Sequence, residues 1–203
     1  MAQPLSINAV ELNKYNQIKT KLDSQDIPVE AQMAYELALM ALTSKQCNEP
    51  YENLLAGCLG LTKLDTKHGW DAVNNVESPT EMYEFKPSEC TTKKKSPSGT
   101  INDDSIAKIE KCEHLEKEGK KGWLILAGID KTAFNFSVIY KFPIDVFNQD
   151  RRTYLQGIIE KNKGKANKGN ANQTRVTYPV NVKRAVALCQ HFGQTYYIWN
   201  KLI

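Results

Sequence analysis

Three charged side chains in one part of the chain have the types and spacing that phosphodiester hydrolysis requires. Glu84 and Lys86 are separated only by Phe85, so they share a face of any β-strand that contains them. Asp71 precedes them at a distance that one β-hairpin can close. Paired carboxylates can bind a divalent cation, and a nearby lysine can orient or deprotonate water and offset charge on the phosphorus. We therefore expect metal-assisted hydrolysis at these residues.

The geometry of this site depends on the register of the hairpin. With a turn centred near Glu77 and Ser78, Asp71 falls opposite Glu84 and joins Lys86 on one face. A slip of one residue would move Asp71 to the other face. The reverse face is expected to pack on a layer of helices through Trp70, Ala72, Tyr83 and Phe85.

The residue types around this site predict the metal. Two facing carboxylates repel each other unless a cation lies between them. Hard oxygen ligands favour Mg²⁺ over zinc, and Mn²⁺ is expected to substitute. The 5 cysteines and 3 histidines are scattered, without C-x-x-C spacing, and no organic cofactor is expected. The alternative is that Glu84 and Lys86 form an ordinary exposed ion pair.

Two segments of this region resemble a known family of nucleases. The runs Gly69-Trp70-Asp71-Ala72-Val73 and Tyr83-Glu84-Phe85-Lys86-Pro87 look like the signature of the PD-(D/E)XK superfamily, especially type II restriction endonucleases. The resemblance covers about residues 48–130. It implies a core with a helix bearing an acid, a hairpin carrying the signature, another helix and a further strand. The family's proline before the aspartate is replaced here by Trp70.

The resemblance also implies a role for each signature residue. Asp71 and Glu84 are expected to bind the metal through their carboxylates, and Phe85 through its backbone carbonyl. Lys86 is expected to lie near the attacking water. Glu52, on the preceding helix, looks like the additional catalytic acid that many members carry.

Glu52 has a simpler explanation, because an acid in the first turn of a helix is favoured by the helix dipole. Glu30, Glu36 and Glu49 could also supply the additional acid. His68 could touch a phosphate, although an isolated histidine without metal-ligand spacing is more often a surface residue.

Two polar loops are candidates for contact with DNA. Lysines suit phosphates, whereas Asn, Gln and Arg suit base edges. The first loop directly follows the catalytic strand and offers Lys93, Lys94, Lys95 and Asn102. The second is rich in Gly, Asn and Lys and offers Lys163, Lys165, Asn167, Lys168, Asn170, Asn172, Gln173 and Arg175. The alternative is that these loops are only solvated.

The distribution of charge supports an anionic partner. The formal net charge is +4, but the segment from Arg151 to Arg184 holds nine basic residues and one acidic residue, Glu160. A basic segment on a near-neutral body indicates binding to an anionic polymer.

The pattern along the chain predicts an α/β or α+β fold with a central mixed sheet flanked by helices, a restriction-endonuclease-like core and a helical N-terminal segment. Helices are predicted over 7–23, 28–43, 50–59, 151–161 and 182–191, with one more between Asn102 and Gly119. Strands are predicted over 69–76, 81–86, 123–129, 134–142, 175–180 and 195–199, and a mobile loop over 88–99. We expect a single domain over 1–203, with a helical part (1–47), a catalytic core (48–142) and a basic DNA-binding part (143–203).

Composition restricts the class of protein. Hydrophobic residues make up 41% and charged residues 25% of the chain, which is ordinary for a globular protein. No apolar run reaches the roughly 18 residues of a membrane span, and the first ten residues lack a signal pattern. We therefore expect a cytoplasmic protein whose cysteines are free thiols.

These observations favour a Mg²⁺-dependent endodeoxyribonuclease that cuts double-stranded DNA. The favoured subtype is a sequence-specific restriction enzyme acting as a homodimer, because a two-fold axis suits cleavage of both strands of a palindrome. A structure-specific repair or junction-resolving nuclease of the same fold is the first alternative. A DNA-binding module without catalytic activity is the second.

Overall fold

The computed structural model describes residues 1–24, 28–43, 48–65, 70–91, 96–101, 118–163 and 177–201. These residues form an α+β fold in which a seven-stranded mixed sheet is flanked by helices. The predicted fold class is confirmed.

The helices are α1 (Ala9–Leu12), α2 (Lys14–Asp23), α3 (Val29–Thr43), α4 (Glu49–Leu59), a 3-10 helix (Ile144–Phe147), α5 (Asn148–Lys163) and α6 (Val182–His191). The strands are β1 (Ala2–Pro4), β2 (Thr62–Lys63), β3 (Ala72–Val73), β4 (Glu81–Glu89), β5 (Ser98–Ile101), β6 (Lys121–Asp130), β7 (Asn135–Pro143), β8 (Tyr178–Asn181) and β9 (Tyr196–Asn200).

The main sheet has the strand order β1-β9-β7-β6-β4-β3-β2. Strands β4 and β6 are parallel, as are β1 and β9, and the other neighbours are antiparallel. Strands β5 and β8 form a separate two-stranded antiparallel sheet. Strands β1 and β9 therefore belong to the same sheet as the β3–β4 hairpin, at the opposite end of the strand order.

Strand β6 is the centre of the sheet and divides the core into two layers. Trp123 to Ile129 is buried throughout, which confirms the prediction of a buried central strand. Alternate side chains point to opposite faces. Ile125 packs in a cluster with α1 and α4, whereas Leu124 and Leu126 pack in a second cluster with the 3-10 helix, β8 and α6.

Local sequence signals account for the two helices that border these layers. Helix α4 has Pro50 in its first turn and ends at Gly60, whose φ of 65° is the left-handed conformation that glycine adopts without strain. Helix α6 is capped by Asn181, whose side chain accepts a hydrogen bond from the backbone N–H of Arg184.

Several predicted boundaries are wrong. The helix expected over 7–23 breaks at Asn13 into α1 and α2. The expected mobile loop 88–99 is shorter, because β4 continues to Glu89 and β5 begins at Ser98. No sequence pattern predicted the short strands β1 and β2. The helix expected between Asn102 and Gly119 lies outside the described residues.

Cys58 and Cys189 are buried free thiols, Cys90 is partly exposed, and the other two cysteines lie outside the described residues. Within the described parts of the chain, no helix combines the length and apolar character needed to cross a bilayer.

Candidate active site

The hairpin that carries the predicted site has the register expected from the sequence. Ala72 pairs with Tyr83 and Val73 pairs with Met82, so the next pair along this register is Asp71 with Glu84. The register prediction is confirmed.

Asparagine side chains close the hairpin. Oδ1 of Asn74 accepts hydrogen bonds from the backbone N–H groups of Thr80 and Glu81. Oδ1 of Asn75 accepts one from the N–H of Glu77. Such local bonds between side chain and backbone favour a turn over continued pairing, which fixes the register of the strands on either side.

Asp71 lies at the end of the regular pairing, where its backbone is held on both sides. Its N–H donates to the carbonyl of Tyr83 at 2.9 Å, and its carbonyl accepts from the N–H of Leu64 at 2.8 Å. Its side-chain Oδ2 accepts a hydrogen bond of 2.6 Å from the backbone N–H of Phe85. The carboxylate is therefore fixed against β4, beside the peptide group between Glu84 and Phe85.

Glu84 and Lys86 lie on the face of β4 opposite the helix layer of α4. Their side chains are 19% and 20% exposed, and Lys86 Nζ contacts Glu84 Oε1 directly. The pKa of Glu84 is raised, chiefly by burial and also by the negative charge of Asp71. The positive charges of Lys86 and Arg151 oppose these effects but do not outweigh them. The register of the hairpin and the hydrogen bond from Phe85 N–H to Asp71 Oδ2 place the two carboxylates on neighbouring strands beside each other.

Glu52, on α4, joins the same cluster of charges. Its carboxylate pairs with Lys63 of β2 at 3.3 Å, and the Glu52 side chain is 18% exposed. Burial raises the pKa of Glu52, as does the negative charge of Asp71, while Lys63 opposes both. The helix therefore brings Glu52 towards Asp71, as the resemblance implies.

The other acids considered for this position are less well placed. Glu49 also reaches Lys63, at 3.4 Å, but its side chain is 61% exposed. Glu36 is exposed on α3. His68 and the side chain of Glu30 lie outside the described residues.

Arg151 is a member of the site that the sequence analysis missed. It was counted in the basic DNA-binding segment, but it is 2% exposed and its charge acts on Glu84. The sequence did contain a signal for its burial, because Arg151 lies four residues from both Phe147 and Leu155, which are apolar and buried. That spacing places Arg151 on the inward face of its helix. Arg184, in the same basic segment, is paired with Asp150 at 2.7 Å.

Lys63 was missed for a different reason. It belongs to a strand of two residues that no sequence pattern marked, and it pairs with two carboxylates of α4. Burial lowers the pKa of Lys63, but Glu52 and Glu49 outweigh that effect and the net pKa is raised.

The small sheet positions Lys86. A Cβ atom on Gly99 of β5 would lie 2.8 Å from Lys86 Cβ and 3.1 Å from its Cγ, so only glycine leaves room for this close approach. The backbone N–H of Ser98 also donates to Ser88 Oγ at 3.1 Å. Strand β5 therefore lies directly on the aliphatic part of the lysine.

The prediction for the reverse face of the hairpin is correct for Ala72, Tyr83 and Phe85 and wrong for Trp70. The first three pack in the cluster that includes α4, but Trp70 packs against the opposite cluster. The reason is that β3 contains only Ala72 and Val73, so the alternation of faces does not extend back to Trp70.

The candidate DNA contacts remain predictions. Lys163 ends α5, and its side chain lies outside the described part of the chain. The same is true of every atom of Lys93, Lys94, Lys95, Asn102, Lys165, Asn167, Lys168, Asn170, Asn172, Gln173 and Arg175. Lys93, Lys94 and Lys95 lie in sequence between β4, which contains Lys86, and β5, which packs on that lysine.

Among the described residues, no group of three or more Asp, Glu, His or Cys side chains is arranged to hold a metal ion. The candidate metal ligands in the described part of the chain are the carboxylates of Asp71 and Glu84, which backbone carbonyls or water could supplement. The chain matches no family model, and the comparisons found no similar curated protein or solved structure. A proposal about function must therefore rest on the geometry of the site.

Proposed function

We propose that this protein is a Mg²⁺-dependent endonuclease that hydrolyses phosphodiester bonds of double-stranded DNA. The observation that carries the proposal is the hairpin register, which brings Asp71 alongside Glu84 with Lys86 two residues further on. Two partly buried carboxylates held side by side cost free energy, so a role in binding a cation explains why a rigid hairpin holds them.

The residues present fit Mg²⁺. Burial and the negative charge of Asp71 raise the pKa of Glu84, so a cation bound beside the two carboxylates would favour the ionised form of Glu84. Carboxylate oxygens from Asp71 and Glu84 and the backbone carbonyl of Phe85 would hold the ion, since Mg²⁺ prefers hard oxygen ligands and retains several waters. When bound, the ion would polarise the phosphate and lower the pKa of a bound water.

The remaining charges of the site have separate roles. The hydrogen bond from Phe85 N–H orients the carboxylate of Asp71. Arg151 favours the ionised form of Glu84 from its buried position on α5. Lys86, held by β5, would present its ammonium group to the attacking water and to the charge that develops on the phosphate.

The choice of double-stranded DNA as substrate rests on the sequence, in which Lys93, Lys94 and Lys95 follow β4 and nine basic residues lie in the segment from Arg151 to Arg184. The favoured subtype is a sequence-specific restriction enzyme that acts as a homodimer. A palindromic site matches a two-fold dimer, which would place one hairpin site on each strand.

Cleavage of plasmid and phage DNA with Mg²⁺ tests the proposal. The parent protein should give discrete bands, whereas Asp71→Ala, Lys86→Ala and reactions in EDTA should give none. Lys120→Ala is the matched control, because Lys120 pairs with Glu118 at 3.0 Å with the same spacing in sequence but on an exposed surface. That variant should cleave like the parent.

The direct contact between Lys86 and Glu84 supports one alternative, in which the pair is structural and the protein binds DNA without cutting it. DNA binding without cleavage in either Mg²⁺ or Mn²⁺ would establish this alternative and refute the nuclease. A smear in place of bands would remove the sequence-specific subtype and retain the nuclease.

A further inference from the structure

Lys63 holds a positive charge between helix α4 and the hairpin of the candidate site. Its Nζ lies 3.3 Å from Glu52 Oε2 and 3.4 Å from Glu49 Oε1, and the Lys63 side chain is 18% exposed. Lys63 pairs across the sheet with Ala72, whose side chain packs in the cluster that includes α4. Because cross-strand partners share a face, the ammonium group lies on the α4 side of the hairpin.

The backbone ties this lysine to a proposed metal ligand. The N–H of Leu64, the next residue, donates to the carbonyl of Asp71 at 2.8 Å. Lys63 Nζ also donates to the carbonyl of Leu64 at 3.4 Å, a long contact that adds to the two ion pairs. Strand β2 therefore fixes Lys63 one residue away from the backbone contact that holds Asp71.

The carboxylates of the site fall on two sides of the hairpin. Glu84 and Lys86 lie on the face of β4 opposite α4, whereas Glu52 lies on α4 and pairs with Lys63. Asp71, Glu52 and Glu84 all belong to the described residues, and no three acids among those residues are arranged around one cation. Glu52 therefore shares no common metal site with the other two.

A second divalent ion beside Asp71 would need Glu52 as a ligand. Two-metal sites hold their ions about 3.5–4 Å apart, and each hard cation needs oxygen ligands of its own. Of the two acids that α4 presents to β2, Glu52 is 18% exposed and Glu49 is 61% exposed, so Glu52 is the better ligand. Lys63 already pairs with that carboxylate.

We propose that Lys63 is a built-in cation of the active site, so that the site takes one divalent ion and Glu52 is not among its ligands. This inference rests on the proposed function, because it concerns the metal of that site. The ammonium group is a compact charge, and it supplies fixed positive charge on the α4 side of Asp71. Glu52 is then a positioning residue, which holds Lys63 in place.

Binding of Mn²⁺ to the full chain without DNA, followed by electron paramagnetic resonance, tests the inference. The parent should bind one Mn²⁺ per chain, with a spectrum free of coupling between ions. Lys63→Met should bind a second Mn²⁺, because Glu52 and Glu49 then lack their cation. Lys120→Met is the matched control, since Lys120 pairs with Glu118 on an exposed surface and its loss should leave one ion per chain.

Glu52→Gln separates a ligand from a positioning residue. Its affinity for Mn²⁺ should stay within about threefold of the parent, because a carboxylate that is not a ligand acts only through screened electrostatics. Glu84→Gln should weaken binding at least about tenfold, since even the outer-shell partners of metals are worth about 10- to 100-fold in affinity. These measurements do not depend on the folding of Lys63→Met.

The outcomes separate this inference from the nuclease proposal. Two ions per parent chain, or a loss of about tenfold or more in Glu52→Gln, would overturn the role of Lys63 and leave the nuclease standing. A single ion in folded Lys63→Met would also overturn it. One Mn²⁺ in the parent without cleavage of DNA would refute the nuclease alone, and no binding of Mn²⁺ would refute both.

Discussion

Asp71 and Phe85 are joined by a hydrogen bond of 2.6 Å, from the backbone N–H of Phe85 to Oδ2 of Asp71. The donor lies between Glu84 and Lys86 in the chain, so this bond holds the aspartate beside both other charged groups. Hydrogen bonds to an ionised acceptor are about twice as strong as neutral ones. The position of the Asp71 carboxylate is thus fixed by the backbone of β4.

Replacement of Glu84 by glutamine should raise the melting temperature at pH 7 while abolishing cleavage. Burial and the charge of Asp71 raise the pKa of Glu84 above its usual 4.5, so the folded protein binds this proton more tightly than the unfolded chain. Ionisation therefore opposes folding, and the parent should lose stability relative to Glu84→Gln as the pH rises through the raised pKa. Below about pH 4.5 the group is protonated in both states, and the difference should disappear.

Calorimetric melting from about pH 4 to pH 8 measures this difference. Glu118→Gln is the control, because Glu118 is 56% exposed and its replacement should give no such pH dependence. A difference that is independent of pH, or that grows as the pH falls, would contradict the role assigned to burial at Glu84.

Mg²⁺ should raise the melting temperature of the parent protein. A ligand that binds only the folded state stabilises it by about 2.7 kcal/mol at one hundred times its dissociation constant. For a chain of this length, that corresponds to several degrees. Asp71→Asn should remove the response, whereas Asp23→Asn should retain it, because Asp23 pairs with Lys19 on an exposed surface. An unchanged response in Asp71→Asn would place the ion elsewhere.

Gly99→Ala should slow cleavage by displacing Lys86. The added Cβ would lie 2.8 Å from Lys86 Cβ, and such crowding typically costs about 1–3 kcal/mol. Gly157→Ala is the matched control, since a Cβ at that helical position meets nothing within 4 Å and should be neutral or stabilising. Cleavage rates and DNA affinity should be measured together. Loss of affinity with an unchanged cleavage rate would show that β5 holds DNA and does not position the lysine.

Arg151→Met should destabilise the protein and raise the pKa of Glu84 further. The arginine is 2% exposed, and its charge is one of the influences that lower this pKa. Removal of the buried guanidinium leaves Glu84 with less compensating positive charge, which destabilises a partly buried carboxylate. Addition of Glu84→Gln should recover part of this loss, because the uncompensated carboxylate is then absent. Denaturant unfolding of the four proteins gives the coupling energy, and purely additive losses would refute the link.

Lys163→Ala and Lys168→Ala should each weaken DNA binding and flatten its dependence on salt. Each lost phosphate contact should reduce the slope of log affinity against log salt by about 0.9. Lys14→Ala is the control, because Lys14 pairs with Glu11 at 2.8 Å in the N-terminal helices. Filter binding over a salt series measures the slope, and identical slopes for all four proteins would locate the DNA away from this segment.

The sequence was informative wherever structure depends on neighbours in the chain. The register of the hairpin follows from the alternation around Glu84 and from Asn74 and Asn75, which bond to backbone groups of the same turn. Strand β6 could also be predicted from sequence, because its apolar run is continuous. In the sheet it lies between β7 and β4.

Prediction from sequence failed where a contact joins distant parts of the chain. Arg151 acts on Glu84 across a large separation in sequence, and a basic residue near other basic residues suggested a surface. Lys63 was missed because β2 has only two residues, which leaves no periodic pattern. Trp70 was assigned to the wrong face because β3 begins at Ala72, and the alternation of faces does not extend back to Trp70.

The two acids of the hairpin are close in sequence, and this affects the order in which the site folds. Asp71 and Glu84 meet through a short turn, whereas Arg151 reaches them only when α5 docks on the sheet. Short-range contacts form early and long-range contacts late. The two acids should therefore repel each other in an isolated peptide spanning the hairpin, which we expect to stay unfolded at neutral pH and to gain structure on acidification. Docking of α5, which adds the positive charge of Arg151, would then be a late step that stabilises the folded hairpin.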